Sequence, residues 1–573
     1  MEKAEVLFLT GELEMGKKTA RRAMLWAGKI NQIKLAHILV TLASLYFKQG
    51  HIKSAERYYH RALKLYKENG SKDGEIAVYT NLGNLFLQTS KFKNAVQHFN
   101  RAINLGLSTG RLDVVAISYF NMGYIYDIMG NLNNAREYYE KSLDIWKSLK
   151  NVAWQARIYT NLGAMFVAHG DYTSGEINLD RAIKLAEQVG DEEYWSRAML
   201  NKGVIEFNRG NLELALDIYK KSLKFFKEKG FQNEVNILLT NIAEVWEKKG
   251  ELTLAERNYL KALEGTKKIG DAYTGTYIFL KLGQVNLWKA NLTKAKEWFQ
   301  KAYNTASMIN AGDLISDAKQ FEARIHIEQE NPDEAIKVIE EIDIEGIGDP
   351  EIKGRILETM GRAYLLERKS EETLTIAQRL IKGGETLSIP QMKANGLLLR
   401  IQALKNTGMD YSEDVWSLNE ILNKIDEVYI RLESLRMLGE IYLELGDITS
   451  GLDLLNMALS SSRDMGIYIH YFRTINTLTQ YFSGVKNQDR VLELGKEFIH
   501  HLKTKLKEDA NLLETSLIKD VIAKNLDILL KRENIPLAVE FLRGLPSDYV
   551  KKISSLLSAE EETLKKLLDK LDI

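Results

Sequence analysis

The stretch Tyr79–Leu105, YTNLGNLFLQTSKFKNAVQHFNRAINL, decides the fold. Its apolar and small residues fall at Tyr79, Leu82, Gly83 and Phe86, and again at Ala95, Phe99 and Ala102. Both sets step by three and four, the period of one helix face, so the spacing predicts two amphipathic helices joined by a turn. The tripeptide Asn81-Leu82-Gly83 returns as Asn121-Met122-Gly123, Asn161-Leu162-Gly163, Asn201-Lys202-Gly203 and Asn241-Ile242-Ala243, a fixed interval of 40 residues. The chain is therefore an all-α repeat array. Such an array offers an extended surface rather than a single cleft, and its default role is to hold a partner.

Columns at the same interval run through both helices. The first helix carries a small column, Ala43, Gly83, Gly123, Gly163, Gly203, Ala243, Gly283 and Ala323, where the partner helix can approach closely. Glycine inside a helix costs roughly 0.5–1 kcal/mol relative to alanine, so packing must offset it. The second helix carries Ala55, Ala95, Ala135, Gly175, Ala215, Ala255 and Ala295, then the large column Tyr59, Phe99, Tyr139, Leu179, Tyr219, Tyr259 and Phe299. Ala62, Ala102, Ser142, Ala182, Ser222, Ala262 and Ala302 follow. A large residue between two small ones reads as a knob offered to the next repeat. Gly130-Asn131, Gly170-Asp171 and Gly210-Asn211 read as a left-handed C′ glycine followed by a capping side chain. Gly70, Gly110, Gly190, Gly230 and Gly270 mark the boundaries between repeats.

At these residues the chain resembles the tetratricopeptide repeat (TPR), in its forty-residue form with lengthened helices, over consecutive units between residues 40 and 310. The proline that often closes the shorter repeat is missing, and none occurs before Pro332. The resemblance implies a right-handed superhelical solenoid of antiparallel helix pairs, about 14 of them in a chain of this length. Residues 1–310 form the regular array, with an incomplete first repeat. Residues 311–505 read as degenerate repeats, interrupted by the Gly- and Pro-containing stretch 345–351. Residues 506–573 read as a helical cap, with Ser558 and Glu561 forming a capping box.

Bulk composition narrows the partner. Lys plus Arg and Asp plus Glu both number 78, which argues against nucleic acid or an acidic membrane surface as the main partner. No cysteine is present, which removes disulfides, thiolate zinc sites and cysteine nucleophiles. The opening residues carry charge and too short an apolar run for a secretory signal, and no apolar stretch reaches the ~18 residues of a membrane span. The expected location is cytoplasmic.

Nothing in the motifs points to catalysis, a metal or a cofactor. Gly11-Glu12-Leu13-Glu14-Met15-Gly16-Lys17-Lys18 nearly spells a phosphate-binding loop, but Lys18 stands where the magnesium ligand belongs and Glu12 and Glu14 repel phosphate. The nine histidines lack ligand spacing, and no Gly-x-Ser-x-Gly elbow occurs.

The asparagine column Asn81, Asn121, Asn161, Asn201 and Asn241 is the sharpest functional signal, because asparagine is a mediocre helix former. In the family that the chain resembles, first helices line the concave side. A carboxamide there offers one acceptor and two donors to a peptide group. Two readings stand side by side: the column reads the backbone of a bound segment, or it bonds across to the neighbouring repeat and fixes the superhelix. Five hydrogen bonds at a net ~0.5–1.5 kcal/mol fall short of the ~8 kcal/mol of a micromolar complex, so anchors must add the rest. Those come from neighbouring positions: Asn84, Tyr124, Phe207, Glu244 and Gln284, with Arg157 and Arg197 one turn earlier. Chaperone-tail receptors of the family use a lysine and asparagine clamp; Thr80, Phe120, Thr160 and Leu200 occupy the lysine positions, which disfavours that ligand class. The chain is closer to Pins-type adaptors, kinesin light chains, bacterial peptide-pheromone receptors and the sensor portions of large transcription activators. The expectation is a scaffold or adaptor that holds an extended protein or peptide segment. The alternative is the ligand-sensing portion of a signal-transduction or transcription regulator.

Overall fold

Helices fill the chain wherever the repeat spacing demands them. The computed structural model describes residues 31–329, 331–425, 427–506 and 516–531, with a few isolated positions towards either end. Most of the Gly11–Lys18 stretch and the capping box of Ser558 and Glu561 lie outside the described residues. Among the described residues there are 25 α-helices, one 3-10 turn (Leu422–Lys424) and no strands. The chain divides into two compact units, Met1–Glu228 and Lys229–Ile573.

The first unit contains α1 (Gln32–Lys48), α2 (Ile52–Glu68), α3 (Lys72–Gln88), α4 (Phe92–Thr109), α5 (Leu112–Ile128), α6 (Leu132–Ser148), α7 (Val152–Ala168), α8 (Tyr172–Val189), α9 (Glu192–Asn208) and α10 (Leu212–Lys229, all but its last residue). The second contains α11 (Gln232–Lys248), α12 (Leu252–Ile269), α13 (Ala272–Trp288), α14 (Leu292–Met308), α15 (Gly312–Glu328), α16 (Pro332–Glu340), α17 (Pro350–Leu366), α18 (Ser370–Leu387), α19 (Pro390–Thr407) and α20 (Ser412–Ile421), then α21 (Val428–Glu444), α22 (Ile448–Asp464), α23 (Tyr468–Gly484), α24 (Gln488–Leu506) and α25 (Ser516–Lys531). Each odd helix up to α23 forms a hairpin with the even helix after it, so the described residues hold twelve pairs and α25. Within each unit successive odd helices touch one another and form one wall.

The turns explain the regularity. A left-handed residue closes a helix every twenty positions from Gly50 to Asn310, with Ser90, Lys150, Ala290 and Asn310 standing where the other ten positions have glycine. At Gly130 the N–H bonds to Asp127 O at 2.9 Å and the next N–H to Tyr126 O at 2.8 Å, which satisfies carbonyls the helix end would leave free. Asn131 then accepts from Asn134 N at 3.2 Å, and Asp171 from Ser174 N at 3.0 Å, starting the following helices.

The knobs fill the glycine holes of their own hairpin, and one of them, Phe299, also reaches the next repeat as the sequence spacing suggested, stacking on Phe321 of α15 with centroids 4.7 Å apart. A Cβ on Gly123 would lie 2.7 Å from the Tyr139 ring, one on Gly203 2.5 Å from Tyr219, and one on Gly283 2.3 Å from Phe299. The reason is proximity: a glycine on the first helix lets the second helix of the same hairpin approach closely. Adjacent hairpins are joined by other contacts, such as Gly74 under Tyr66 and the stacked Trp146 and Trp154 rings, 5.1 Å apart.

The second unit is less regular. Helix α16 has only nine residues, and the loop after it tucks Ile342 and Ile347 into the core. Pro332, Pro350 and Pro390 each open a helix, where the missing N–H leaves no bond unmade. The odd-helix wall of this unit turns back on itself. Trp288 of α13 stacks on Tyr429 of α21 with centroids 6.0 Å apart, α13 touches α23, and Gly250 lies against Met465.

Candidate functional site

In the first unit the odd helices place Asn81 on α3, Asn121 on α5, Asn161 on α7 and Asn201 on α9 at one register, all half-buried. The small residue two positions on locks each helix against its partner, which leaves the asparagine at the margin of the packed face. Their bonding differs. Asn121 Nδ2 donates to Asn84 Oδ1 of the neighbouring hairpin at 3.1 Å, the cross-repeat arrangement. Asn161 and Asn201 instead donate to carbonyls one turn back in their own helices, Arg157 O at 2.9 Å and Arg197 O at 3.0 Å. Their Oδ1 atoms accept no hydrogen bond from the described residues, and the Asn81 side chain makes none. Tyr124 (42% exposed) and Ile128 (51%) add apolar surface one and two turns beyond Asn121, and Phe207 is half-buried.

Arg157 and Arg197 share a register but not an environment. The Arg157 guanidinium lies near two rings, 5.2 Å from the Trp154 centroid and 4.7 Å from that of Tyr194. Its nearest acid is Asp191, at 3.6 Å, and its buried Nε has no acceptor. Arg197 donates from Nε to Glu193 at 3.1 Å and lies over Phe226.

Asn241, Glu244 and Gln284 belong to the second unit, half-buried on α11 and α13. There the carboxylate of Glu244 takes a hydrogen bond from the Tyr277 hydroxyl and lies 3.9 Å from Lys281 Nζ. Glu247 accepts from Tyr259 Oη at 2.7 Å; burial raises its pKa, which Lys281 only partly counters. Further along the same wall lies a buried ionic network that no motif in the sequence announces. Arg324 pairs with Glu328 and, through Nη1, with both oxygens of Glu358, and Arg473 reaches back 145 positions to Glu328 at 2.6 and 2.7 Å. Tyr429 receives Arg324 and Arg473, while Glu433 faces Arg436 and His470. Burial alone would raise Glu433, yet Arg436, His470 and Arg473 hold it well below the usual carboxylate range. The signal in sequence was thin, since Arg324 with Glu328 and Glu358 with Arg362 look like ordinary surface pairs one turn apart. This wall is closed by its own side chains; the wall of the first unit bears unpaired ones.

Among the described residues no His, Cys, Asp or Glu cluster is arranged to hold a metal, and no helix is long and apolar enough to cross a membrane. Stacked helix hairpins with a side-chain-lined wall define an α-solenoid repeat protein. The chain is a tetratricopeptide-repeat protein: the MalT-like TPR region matches residues 143–412, and two tetratricopeptide-repeat models match residues 34–108 and 116–145. No curated protein matches the sequence. Similar solved structures include the apo form of RapI, at 18% identity and a TM-score of 0.40, covering 47% of this chain and 97% of that one. Yeast Tom70 is 14% identical with a TM-score of 0.35, covering 80% and 97% respectively. A signal-transduction ATPase with a tetratricopeptide-repeat sensor from Pyrococcus horikoshii is 15% identical with a TM-score of 0.38, covering 69% and 55%.

Proposed function

We propose that the odd-helix wall of the Met1–Glu228 unit holds an extended segment of a protein or peptide, as a scaffold or adaptor does, with asparagines reading its backbone. The observation that carries this reading is the state of Asn81, Asn161 and Asn201: half-exposed, in phase, with side-chain oxygens that accept nothing from the described residues. Packed helices stand ~8–10 Å apart and an extended chain advances ~3.3 Å per residue, so successive asparagines meet about every third peptide unit. Tyr124 and Ile128 supply the apolar contact that the hydrogen bonds alone lack.

The test is selection of a random peptide display library on the immobilised protein, followed by affinity measurement of the selected peptides. Binding should weaken roughly tenfold or more in the double variant Asn161→Ala, Asn201→Ala, for two bonds of ~0.5–1.5 kcal/mol each. Selected peptides that bind the folded double variant as tightly as the wild type would place the partner elsewhere.

A further inference from the structure

We propose that α21–α25 is a lid over the odd-helix wall of α13, α15 and α17, and that the segment it keeps off that wall carries the chemistry of the lid's own contacts, an arginine beside an aromatic ring. The inference concerns the second unit and stands apart from the asparagine wall of the first.

The lid is set off from the helices it covers. Its apolar core runs from Leu455 of α22 through Phe472 of α23 to Phe498 of α24, and takes one residue, Ala290, from earlier in the chain. Its stacking on the preceding repeats is thin: α20 and α21 touch least of all consecutive helices in the unit, and the 3-10 turn Leu422–Lys424 lies between them. Charged and aromatic side chains make its contact with the wall. Arg473 of α23 donates from Nη2 to both oxygens of Glu328 on α15, at 2.6 and 2.7 Å. Glu433 of α21 lies 4.0 Å from Arg362 of α17, and Tyr429 of α21 takes a hydrogen bond from Arg324 while its ring stacks on Trp288 of α13.

Each face also brings its own counter-charges. On the wall Arg324 lies 3.3 Å from Glu328 and 2.7 Å from Glu358. On the lid Glu433 is held by Arg436 at 2.8 Å and His470 at 3.3 Å, and Arg473 keeps Glu433 at 3.8 Å. Parting the two faces therefore leaves no isolated charge on either, whereas an apolar seam would expose bare hydrocarbon. A polar interface between parts of one chain is the kind that opens.

What the lid covers defines what replaces it. With Arg473 and Tyr429 withdrawn, Glu328 offers a carboxylate and Trp288 the face of its indole. An arginine and an aromatic side chain match the two, as those of the lid do.

The chain has no cysteine, so a single disulfide can be introduced as a lock. A Cβ on Gly250 would lie 2.7 Å from that of Met465, near enough for Gly250→Cys with Met465→Cys to tie the end of α22 to the turn before α12 after a small adjustment. Small-angle scattering and circular dichroism compare the wild type, Arg473→Glu, and Arg473→Glu carrying the oxidised cysteine pair. Arg473→Glu sets like charge against Glu328 and Glu433 and should raise the radius of gyration with helix content kept; the disulfide should restore the wild-type value. A random peptide display library, depleted on the oxidised protein to remove whatever binds elsewhere and then selected on its reduced form, should yield peptides that pair Arg with Tyr, Phe or Trp. Adding Glu328→Gln should weaken them roughly tenfold or more. An unchanged radius of gyration in folded Arg473→Glu, a rise that the disulfide leaves in place, or a loss of helix content instead of a rise overturns the lid. Opening that yields no such peptides, or peptides indifferent to Glu328→Gln, overturns the chemistry assigned to the segment.

Discussion

An alanine at position 203 would bring its methyl carbon to 2.5 Å from the Tyr219 ring, with Ile218 next behind it at 3.2 Å. That ring is 1% exposed and has no room to retreat, so Gly203→Ala should destabilise the chain by about 1–3 kcal/mol in chemical denaturation, despite the better helix propensity of alanine. A neutral or stabilising result would mean that α9 and α10 are not in the close contact described. This hole was legible in sequence, because glycine recurs opposite an aromatic residue at a fixed interval and few other causes produce that pattern. The direction of the knob was legible only in part, since Phe299 meets both Gly283 of its own hairpin and Phe321 of the next. Spacing shows which residues share a face, whereas the choice between the helix in the same hairpin and the one in the next is made by distance in space. The difference between Arg157 and Arg197 was half-legible: Glu193 stands one turn before one of them and Ala153 before the other, but the rings near Arg157 come from two hairpins.

At the scale of the helix, the decisive device is the left-handed residue repeated every twenty positions. Glycine adopts it freely, but Lys150 holds φ 54° and Ala290 φ 60°, conformations that strain an L-residue. Lys150→Gly should therefore stabilise the α6–α7 connection by roughly 0.5–1 kcal/mol, a raised melting temperature with unchanged helix content being the readout. A lowered melting temperature would show that unfolded-chain entropy outweighs relief of strain. The ten glycine turns could be read directly and Asn310 tolerates the same conformation, whereas the turns at Lys150 and Ala290 could not be read, because those residue types carry no turn signal of their own. The same limit explains why the acidic position of the expected groove, Glu244, gave no hint that Tyr277 and Lys281 would engage it.

At the scale of the molecule, the two units use the same hairpin for different ends. The second closes its wall with charges, and a buried network is destabilised most when one partner is removed and the other is left. Arg473→Met should cost about 3–5 kcal/mol, because Glu328 stays buried with Arg324 as its remaining ion-pair partner, and the loss should appear in the unfolding of the Lys229–Ile573 unit. A loss below 1 kcal/mol would mean that this pair is hydrated and does not hold the wall shut. Acid acts on the same network with a definite sign. Burial lowers the pKa of His470 from 6.5 to about 4, so the folded state keeps it neutral while the unfolded chain takes up a proton below 6.5. Its contribution is therefore complete above pH 6.5 and falls away as pH drops towards 4, a loss of about 3 kcal/mol by the linkage relation. Glu328, Glu358 and Glu433, all held below the ordinary carboxylate value, extend the loss to lower pH, whereas Glu247 and Glu427, raised by burial, oppose it. His98, lowered to about 4 by burial in the first unit, adds an acid limb of the same sign there. Denaturation of wild type, His470→Gln and His98→Gln between pH 7 and pH 4 separates these contributions: each variant should lose the upper part of the acid dependence belonging to its own unit. An unchanged pH profile in His470→Gln would show that the imidazole reaches water and that the wall of the second unit opens in solution.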